Sequence, residues 1–142
     1  MVGTNIDYSK SEGVLEQEKF PYILTVEEDA EPVMDNSAFK VRDMYFEGID
    51  GFVKWTTAIT NLRPGRQTRG HAHPDNNELC RIIAGECFIV IDDISYRVKA
   101  GKYILIEKGK HHKVINVSVS DECVFVSDFP GHLIRPGYVR KR

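Results

Sequence analysis

The sequence predicts an all-β fold, a sandwich or barrel of short strands with an arm at its N-terminus. From residue 39 onward, short runs rich in Val, Ile, Phe and Tyr alternate with turn signals of Gly, Pro, Asp and Asn. No segment of helical period and useful length follows residue 40. The chain has 142 residues, which fits one domain with one hydrophobic core.

The predicted strands follow one another closely, with turn-forming residues such as Pro64-Gly65 and Ala100-Gly101 between them. In chain order they are Phe39–Phe46, Phe52–Asn61, Gln67–His71, Glu78–Ala84, Cys87–Ile91, Ser95–Lys99, Tyr103–Glu107, His112–Val117 and Glu122–Ser127. This pattern assigns residues 39–130 to the barrel.

The two ends of the chain differ from this pattern. Residues 1–38 are assigned to the arm, with a short helix near Glu12–Phe20 and an extended segment at Tyr22–Val26. We expect the arm to pack on the barrel or on a neighbouring subunit. Residues 131–142 hold Pro136, Gly137 and a basic end, which predicts an irregular C-terminal tail.

Composition and charge are those of an ordinary globular domain. Hydrophobic residues make up 42% of the chain and charged residues 28%. The net charge of −2 is uneven: residues 1–50 hold twelve acidic and four basic residues (−8), and residues 51–142 hold nine acidic and fifteen basic residues (+6). The basic residues are interspersed rather than gathered into a stripe with aromatics, so we expect no nucleic-acid partner. Cationic groups near a pocket would suit an anionic small substrate.

Location and redox state are predicted from what the sequence lacks. No apolar run approaches the roughly 20 residues that span a bilayer, so we expect no membrane partner. Met1–Phe20 lacks the basic-then-apolar layout of a signal peptide, which favours a cytoplasmic protein. The three cysteines, Cys80, Cys87 and Cys123, are odd in number and scattered, so we expect no disulfide framework.

Three histidines and one glutamate are the most informative pattern in the chain. His71, His73 and Glu78 lie in one short stretch, and His112 lies in a second. Three imidazoles and a carboxylate are a full set of protein ligands for one divalent transition metal, Fe, Mn, Ni, Co or Zn. Such a set leaves coordination positions free for water or substrate.

Strand geometry explains how these residues would meet. Residues two apart share a face of a strand, so His71 and His73 can aim at one point inside a barrel. Residues 74–77 are turn-forming, so Glu78 would begin a neighbouring strand, and His112 would come from a strand opposite. Cys80 would share the inward face with Glu78. We interpret Cys80 as a small buried core residue, with lining of the metal cavity as the alternative.

The spacing around these residues forms two constrained runs. The first run consists of Gly65, five residues, His71-x-His73, four residues, Glu78, six residues and Gly85; the second consists of Gly101, five residues, Glu107-x-Gly109, two residues, His112, three residues and Asn116. They resemble the paired motifs of the cupin superfamily, which usually has Pro where this chain has Glu107. The resemblance implies a double-stranded β-helix, or jelly-roll, barrel of two facing sheets, usually a dimer. It also implies the three histidines and Glu78 as metal ligands.

A local resemblance bears on the substrate. The segment Thr68–His73 is similar to the Thr-Lys-Gly-His-x-His segment of cupin-type archaeal phosphoglucose isomerases, in which the Thr and Gly contact the sugar phosphate. It implies Thr68 and Gly70 as substrate contacts, with Arg69 close by. A hydroxyl, a backbone N–H and a cation suit phosphate or carboxylate. That group has Tyr two residues past the ligand Glu, where this chain has Cys80.

From these patterns we predict a metal-dependent isomerase or epimerase of carbohydrate metabolism, acting on a sugar or sugar phosphate. Glu78 and Tyr103 are the predicted acid–base residues, with Glu86 and Lys54 as further candidates. The alternatives are an Fe(II)- or Mn(II)-dependent dioxygenase and a non-catalytic binding or sensing module. A homodimer is expected from the resemblance and from the long N-terminal arm.

Alternation along a strand shows which residues share a face, but it does not show which of the two faces lines the pocket. The pocket walls are therefore predicted as alternatives. The wall candidates are Trp55 or Thr57, Phe88 or Ile89, Tyr103 and Phe125. Aromatic walls would suit stacking on a sugar, and they suit a hydrophobic core equally well, so the core is the default interpretation.

Overall fold

The computed structural model describes residues 30–135, which form β-strands joined by turns and loops. The strands are β1 (Pro32–Asp35), β2 (Phe39–Glu47), β3 (Lys54–Leu62), β4 (Glu78–Ala84), β5 (Glu86–Ile91), β6 (Ile94–Lys99), β7 (Tyr103–Ile106), β8 (His112–Ile115) and β9 (Cys123–Phe129). None of residues 30–135 is helical, so this part of the chain contains no helix that could span a membrane.

The strands form two antiparallel sheets. The larger sheet has the order β1-β2-β3-β9-β4-β7, and the smaller sheet has the order β6-β5-β8. β9 lies between β3 and β4, and β8 lies beside β5, so strands distant in sequence become neighbours. Such crossovers between two facing sheets are typical of a jelly roll. The predicted all-β jelly-roll barrel is confirmed.

The hydrophobic core lies between the two sheets. It is built by alternation, since every second residue of each strand points inward. The side chains of Leu62, Ile82, Ile89, Ile106 and Phe129 are among those with less than 2% of their surface exposed. Burial of each such side chain stabilises the fold by roughly 1.5–3 kcal/mol.

Most of the predicted strands are present, with ends displaced by one or two residues. The exception is Gln67–His71, where the strand prediction is wrong. This segment runs antiparallel to β8, but it forms only two separate bridges, Gln67 with Ile115 and His71 with His112. Between them, the Val114 backbone N–H donates to the Thr68 hydroxyl (2.9 Å) instead of a main-chain carbonyl. That side-chain bond interrupts the ladder.

β1 is a strand that the sequence did not predict. It pairs with β2 and forms the edge of the larger sheet, and its register shifts between Pro32 and Met34. Pro lacks a backbone donor, and an edge strand tolerates that loss. β1 therefore adds sheet to a segment assigned to the arm. The helix predicted near Glu12–Phe20, the extended segment at Tyr22–Val26 and residues 136–142 of the tail lie outside the described residues.

The motif glycines are turn residues. Gly65, Gly85, Gly101 and Gly109 all have positive φ, between 69° and 87°, a conformation that a Cβ disfavours. At Gly85, a Cβ would also lie only 2.6 Å from the carbonyl oxygen of Glu122. The glycine spacing of the two motifs is therefore a spacing of tight turns.

The remaining motif positions are also structural. Asn116 is buried, and its amide donates to the carbonyls of Leu62 (3.1 Å) and Asp121 (2.9 Å). Glu107, which replaces the usual Pro, lies in a turn closed by the Lys110 N–H and the Glu107 carbonyl (3.2 Å). The turn forms without the proline.

Candidate metal centre

The four predicted ligands meet where the two sheets face each other. Glu78 begins β4 of the larger sheet, and His112 begins β8 of the smaller sheet. His71 lies directly opposite His112, because their backbones exchange two hydrogen bonds of 2.8 and 3.0 Å. The carbonyl of His73 accepts a hydrogen bond from the Gly109 N–H (2.9 Å). Backbone pairing thus holds each histidine in place.

This arrangement corrects one expectation. His112 does not face His71 and His73 from across the barrel; its strand is paired directly beside them, on the side of the smaller sheet. Glu78 is the ligand that approaches from the larger sheet. The reason is the segment 63–77, which runs along β8 before the chain crosses to β4.

The side chains converge closely enough to surround one ion. One ligand atom from each of His71, His73, Glu78 and His112 lies within 4.8 Å of the other three. The three ring centroids are 4.5–5.3 Å apart. Ligand atoms bind transition metals at about 2.0–2.2 Å, so two of them on one ion are separated by at most roughly 4.4 Å. The set needs only a small contraction to close on a metal.

Two buried atoms in the centre lack a hydrogen-bond partner. They are Oε1 of Glu78 and Nε2 of His112, and neither forms a hydrogen bond within the described part of the chain. The two atoms lie 3.2 Å apart. Oε1 of Glu78 also lies 3.3 Å from Nε2 of His73. Unpaired buried polar atoms are costly and rare in folded proteins. A cation between them would satisfy both atoms, so the donor set fits a divalent metal.

The neighbouring groups orient the ligands. Nδ1 of His71 donates to the Arg69 carbonyl (2.8 Å), and Nδ1 of His112 donates to the Lys110 carbonyl (3.0 Å). A carbonyl only accepts, so each Nδ1 carries the proton and each Nε2 keeps a lone pair for a metal. The hydroxyl of Ser127 donates to Oε2 of Glu78 (2.7 Å), which leaves Oε1 facing the histidines.

The protonation states suit ligation. Burial lowers the pKa of His71 to about 4, although the hydrogen bond to the Arg69 carbonyl acts in the opposite direction and raises it. This ring is therefore neutral at pH 7. Burial raises the pKa of Glu78, but His112, His73 and Ser127 outweigh it and hold that pKa well below its usual range. Burial lowers the pKa of His112, and the Glu78 carboxylate outweighs burial and raises it. Metal and proton therefore compete at His112.

A cavity of about 630 Å³ opens beside these ligands, a size typical of small-molecule sites. The three predicted substrate contacts, Thr68, Arg69 and Gly70, all line it. Arg69 is exposed, and the Thr68 hydroxyl already accepts from Val114. The His111 ring lies against Gly70, where it would be only 2.4 Å from a Cβ. His111 itself is exposed and points outward.

Tyr103 is not brought to the metal centre. Its side chain is 63% exposed, and it lies opposite Arg81 on the outer face of the larger sheet. The inward residues of β7 are Ile104 and Ile106, which lie opposite Cys80 and Glu78. Its position does not support the predicted catalytic role, because Tyr103 belongs to the face of β7 that points away from the four candidate ligands. Glu78 alone of the two predicted catalytic residues lines the cavity.

The other acid–base candidates also lie elsewhere. Glu86 forms an ion pair with Arg97 on the outside of the smaller sheet, and Lys54 is exposed at the start of β3. Neither lines the cavity. Cys80 is buried in the core and is not a lining residue, and burial raises the pKa of its thiol. This position agrees with the core interpretation.

Of the predicted wall candidates, Phe125 lines the cavity. Trp55 and Thr57 lie on the outer face of β3, where Trp55 donates to Thr57 (3.2 Å). Ile89 belongs to the core, and Phe88 is partly exposed on the other face of β5. The inward residues of β3 are the even-numbered ones, a phase that alternation alone leaves open.

Two residues next to the ligands were missed by the sequence-based prediction. Ser127 holds Glu78, and the Phe129 ring packs edge-on against the His73 ring, with centroids 5.0 Å apart. Both lie on the same inward face of β9 as Phe125, because every second residue of a strand points to one side. Their only signal is this inward phase, and it becomes useful only once β9 is known to pair with β4.

Comparisons with known proteins agree with this geometry. Residues 58–127 match the family model described as the cupin domain. A comparison with curated proteins finds no matching sequence. The matched range contains all four candidate ligands.

Solved structures share the fold at low identity. The plu4264 protein from Photorhabdus luminescens superposes with a TM-score of 0.58 at 19% identity, over 75% of this chain and 84% of that chain. A mutant of oxalate decarboxylase from Bacillus subtilis has a TM-score of 0.63 at 21% identity, over 73% and 29%. An oxalate oxidase structure has a TM-score of 0.62 at 21% identity, over 77% and 59%. This chain thus spans under a third of the decarboxylase.

Proposed function

The chain belongs to the cupin superfamily, and from this premise we propose that it is a metal-dependent enzyme acting on a small molecule. The observation that carries the proposal is the convergence of three imidazoles and a carboxylate, with two buried atoms left unpaired. In a barrel that binds no metal, this arrangement would only destabilise the fold, because buried polar atoms without partners cost free energy.

In this proposal His71, His73, Glu78 and His112 hold one divalent transition metal per chain. We favour Mn(II) or Fe(II), and the Mn(II) centres of B. subtilis oxalate decarboxylase lend support. When bound, such a metal supplies Lewis acidity and O2-dependent redox chemistry. Ser127 keeps the Glu78 carboxylate oriented, and the Phe129 ring shields His73 from water.

We propose O2-dependent oxidation of the bound substrate as the reaction. An isomerase must move a proton between carbons and needs a base beside the substrate. Among the described lining carboxylates, Glu78 is a candidate ligand and Asp75 is exposed at the rim. The predicted acid–base residue Tyr103 points away from the cavity. Metal-centred oxidation makes smaller demands on such groups.

A sugar or sugar-phosphate isomerase is the second candidate, and one observation favours it. Thr68, Arg69 and Gly70 line the cavity directly before the ligand His71. Arg69 supplies the cation that an anionic substrate would need. Here Glu78 would have to serve both as a ligand and on the proton path.

Metal analysis tests the proposed function. The protein is purified without an affinity metal, and its metal content is measured for wild type, His73→Ala and, as a matched control, the outward His111→Ala. We expect one equivalent in wild type and in His111→Ala, and none in His73→Ala. No metal in wild type, even after reconstitution with Mn(II) or Fe(II), would overturn the enzyme proposal and favour a binding module.

Oxygen consumption separates the two reactions. Metal-loaded wild type is incubated with candidate substrates in an oxygen-electrode cell and, in parallel, under argon. We expect turnover to consume O2 and to stop under argon. Turnover that continues unchanged without O2 would instead support the isomerase.

A further inference from the structure

The cavity has two chemically different parts, and this carries an inference that rests on the proposed function. We propose that the substrate is amphipathic, with an oxygen-bearing head at the metal and an apolar body of several carbons. The body lies along a wall made by β1, β2, β3 and β9. This substrate class differs from a sugar or sugar phosphate.

The apolar part is lined mainly by hydrocarbon side chains, and the hydroxyl of Thr60 on β3 is the polar group among them. Val33 and Met34 come from β1, Phe39 and Val41 from β2, and Phe125 from β9. Phe39, Val41 and Phe125 are only 5–6% exposed, and Val33 and Met34 pack against the same core. A hydroxyl placed against these side chains would lose its hydrogen bonds to water, which costs free energy, whereas a hydrocarbon would gain by burial.

The strand register shows where this wall lies relative to the metal. Phe125 stands two residues before Ser127, the partner of Glu78. Across the larger sheet, Phe125 lies opposite Thr60, Thr60 opposite Val41, and Val41 opposite Met34. At about 4.8 Å per strand, this row extends roughly 14 Å. The wall therefore begins beside the ligands and leads away from them, with room for a chain of several carbons.

The cations of the cavity favour a small anionic head rather than a phosphate in the interior. Arg135 lines the cavity, but Asp43 accepts two of its hydrogen bonds (2.8 and 2.9 Å) and neutralises its charge. Arg69 is exposed on the segment that carries His71. A carboxylate or similar head bound at the metal would lie on the side of the cavity that carries Arg69.

Binding of unbranched hydroxamic acids tests this inference. A hydroxamate chelates a metal through two oxygens, and its alkyl chain can be lengthened from acetohydroxamic to octanohydroxamic acid. Affinity for the Mn(II)-loaded protein is measured by isothermal titration calorimetry. We expect Kd to fall roughly 3- to 4-fold for each added methylene over the first several. A Kd independent of chain length would overturn the inference.

Tryptophan variants test where the alkyl chain of the hydroxamate lies. Met34→Trp at the sheet edge and Val41→Trp in the wall narrow the apolar part, while Met44→Trp on the outer face of β2 is the matched control. We expect octanohydroxamate to bind at least about 10-fold more weakly to a folded narrowed variant, with acetohydroxamate unaffected. Met34→Trp serves alone if Val41→Trp fails to fold. Equal loss for both probes, or equal loss in the control, would contradict the placement.

Failure of the inference and failure of the proposed function have different signatures. If wild type binds neither Mn(II) nor acetohydroxamate, the metal centre itself is refuted, and the inference with it. If wild type binds both, but gains nothing from a longer chain, only the amphipathic substrate is refuted. Tighter binding of a sugar phosphate than of any hydroxamate would also refute it and support the isomerase.

Discussion

Ser127 is the residue whose role is most sharply defined by a single contact. Its buried hydroxyl donates to Oε2 of Glu78 at 2.7 Å, and this bond turns Oε1 toward the histidines. We predict that Ser127→Ala weakens Mn(II) binding about 10- to 100-fold, because groups that orient a metal ligand contribute on that scale. Calorimetric titration of Mn(II) measures it.

The control for this prediction is Ser95→Ala, which removes an exposed hydroxyl on β6. It should leave the Mn(II) affinity unchanged, and both variants should keep the wild-type circular dichroism spectrum. Equal affinity of Ser127→Ala and wild type would show that the carboxylate needs no such support.

Individual residues also show how far the sequence reaches. The histidines and Glu78 were predictable because their chemistry and spacing are visible along the chain. Ser127 was not, because its neighbour in space is 49 positions away. Tyr103 was assigned to the wrong side for a related reason: alternation along β7 gives two faces, and only the pairing with β4 decides which one is inward.

Among the elements, the turn between β4 and β5 imposes the strictest demand on its residue. Gly85 has φ +79°, and a Cβ there would lie 2.6 Å from the Glu122 carbonyl oxygen. Gly101 has φ +87° with open space around it. We predict that Gly101→Ala lowers the free energy of unfolding by about 1–2 kcal/mol through backbone strain alone. Gly85→Ala should lower it further, since backbone must also move.

Urea denaturation of both variants measures this difference. The comparison controls for φ, because both glycines adopt the left-handed conformation. Equal losses in the two variants would mean that the β4–β5 turn relaxes away from Glu122 at no cost.

The segment after β9 is fastened across the cavity by an ion pair. Arg135 donates two hydrogen bonds to Asp43, whose side chain is fully buried. Removing one partner of such a pair leaves a buried charge, so we predict that Arg135→Met lowers the free energy of unfolding by about 3–5 kcal/mol. The double variant Asp43→Leu with Arg135→Met should lose less. Urea unfolding of both single variants and of the double variant tests this. If the loss in the double variant equals the sum of the losses in Asp43→Leu and Arg135→Met, the prediction is contradicted.

At the level of elements, strand positions were predictable and strand partners were not. The apolar residues Leu79, Cys80, Ile82 and Ile83, between turn signals on either side, marked β4 to its ends, Glu78–Ala84. The same signal failed at Gln67–His71, where the Thr68 hydroxyl replaces a ladder bond. It also missed β1, a four-residue edge strand that begins at Pro32. Both failures involve side-chain or edge effects that periodicity does not encode.

On the scale of the whole molecule, the candidate metal centre lies between the two sheets and draws its side chains from both sides. The histidines belong to the side of the smaller sheet, and Glu78 belongs to the larger one. Family resemblance predicted the ligands and the jelly roll, but the side from which each ligand comes depends on the path of residues 63–77. The homodimer expected from the sequence stays a prediction, which sedimentation of the 16.2 kDa chain would test.

Because the ligands bridge the sheets, metal binding should stabilise the entire fold. An ion that binds only the folded chain adds about 2.7 kcal/mol to the free energy of unfolding at 100 times its Kd. We predict that Mn(II) raises the Tm of wild type and that a chelator reverses the increase. His73→Ala should show neither effect, whereas His111→Ala should behave like wild type. A Tm that is unchanged in wild type at saturating Mn(II) would mean that the four side chains do not hold an ion between the sheets.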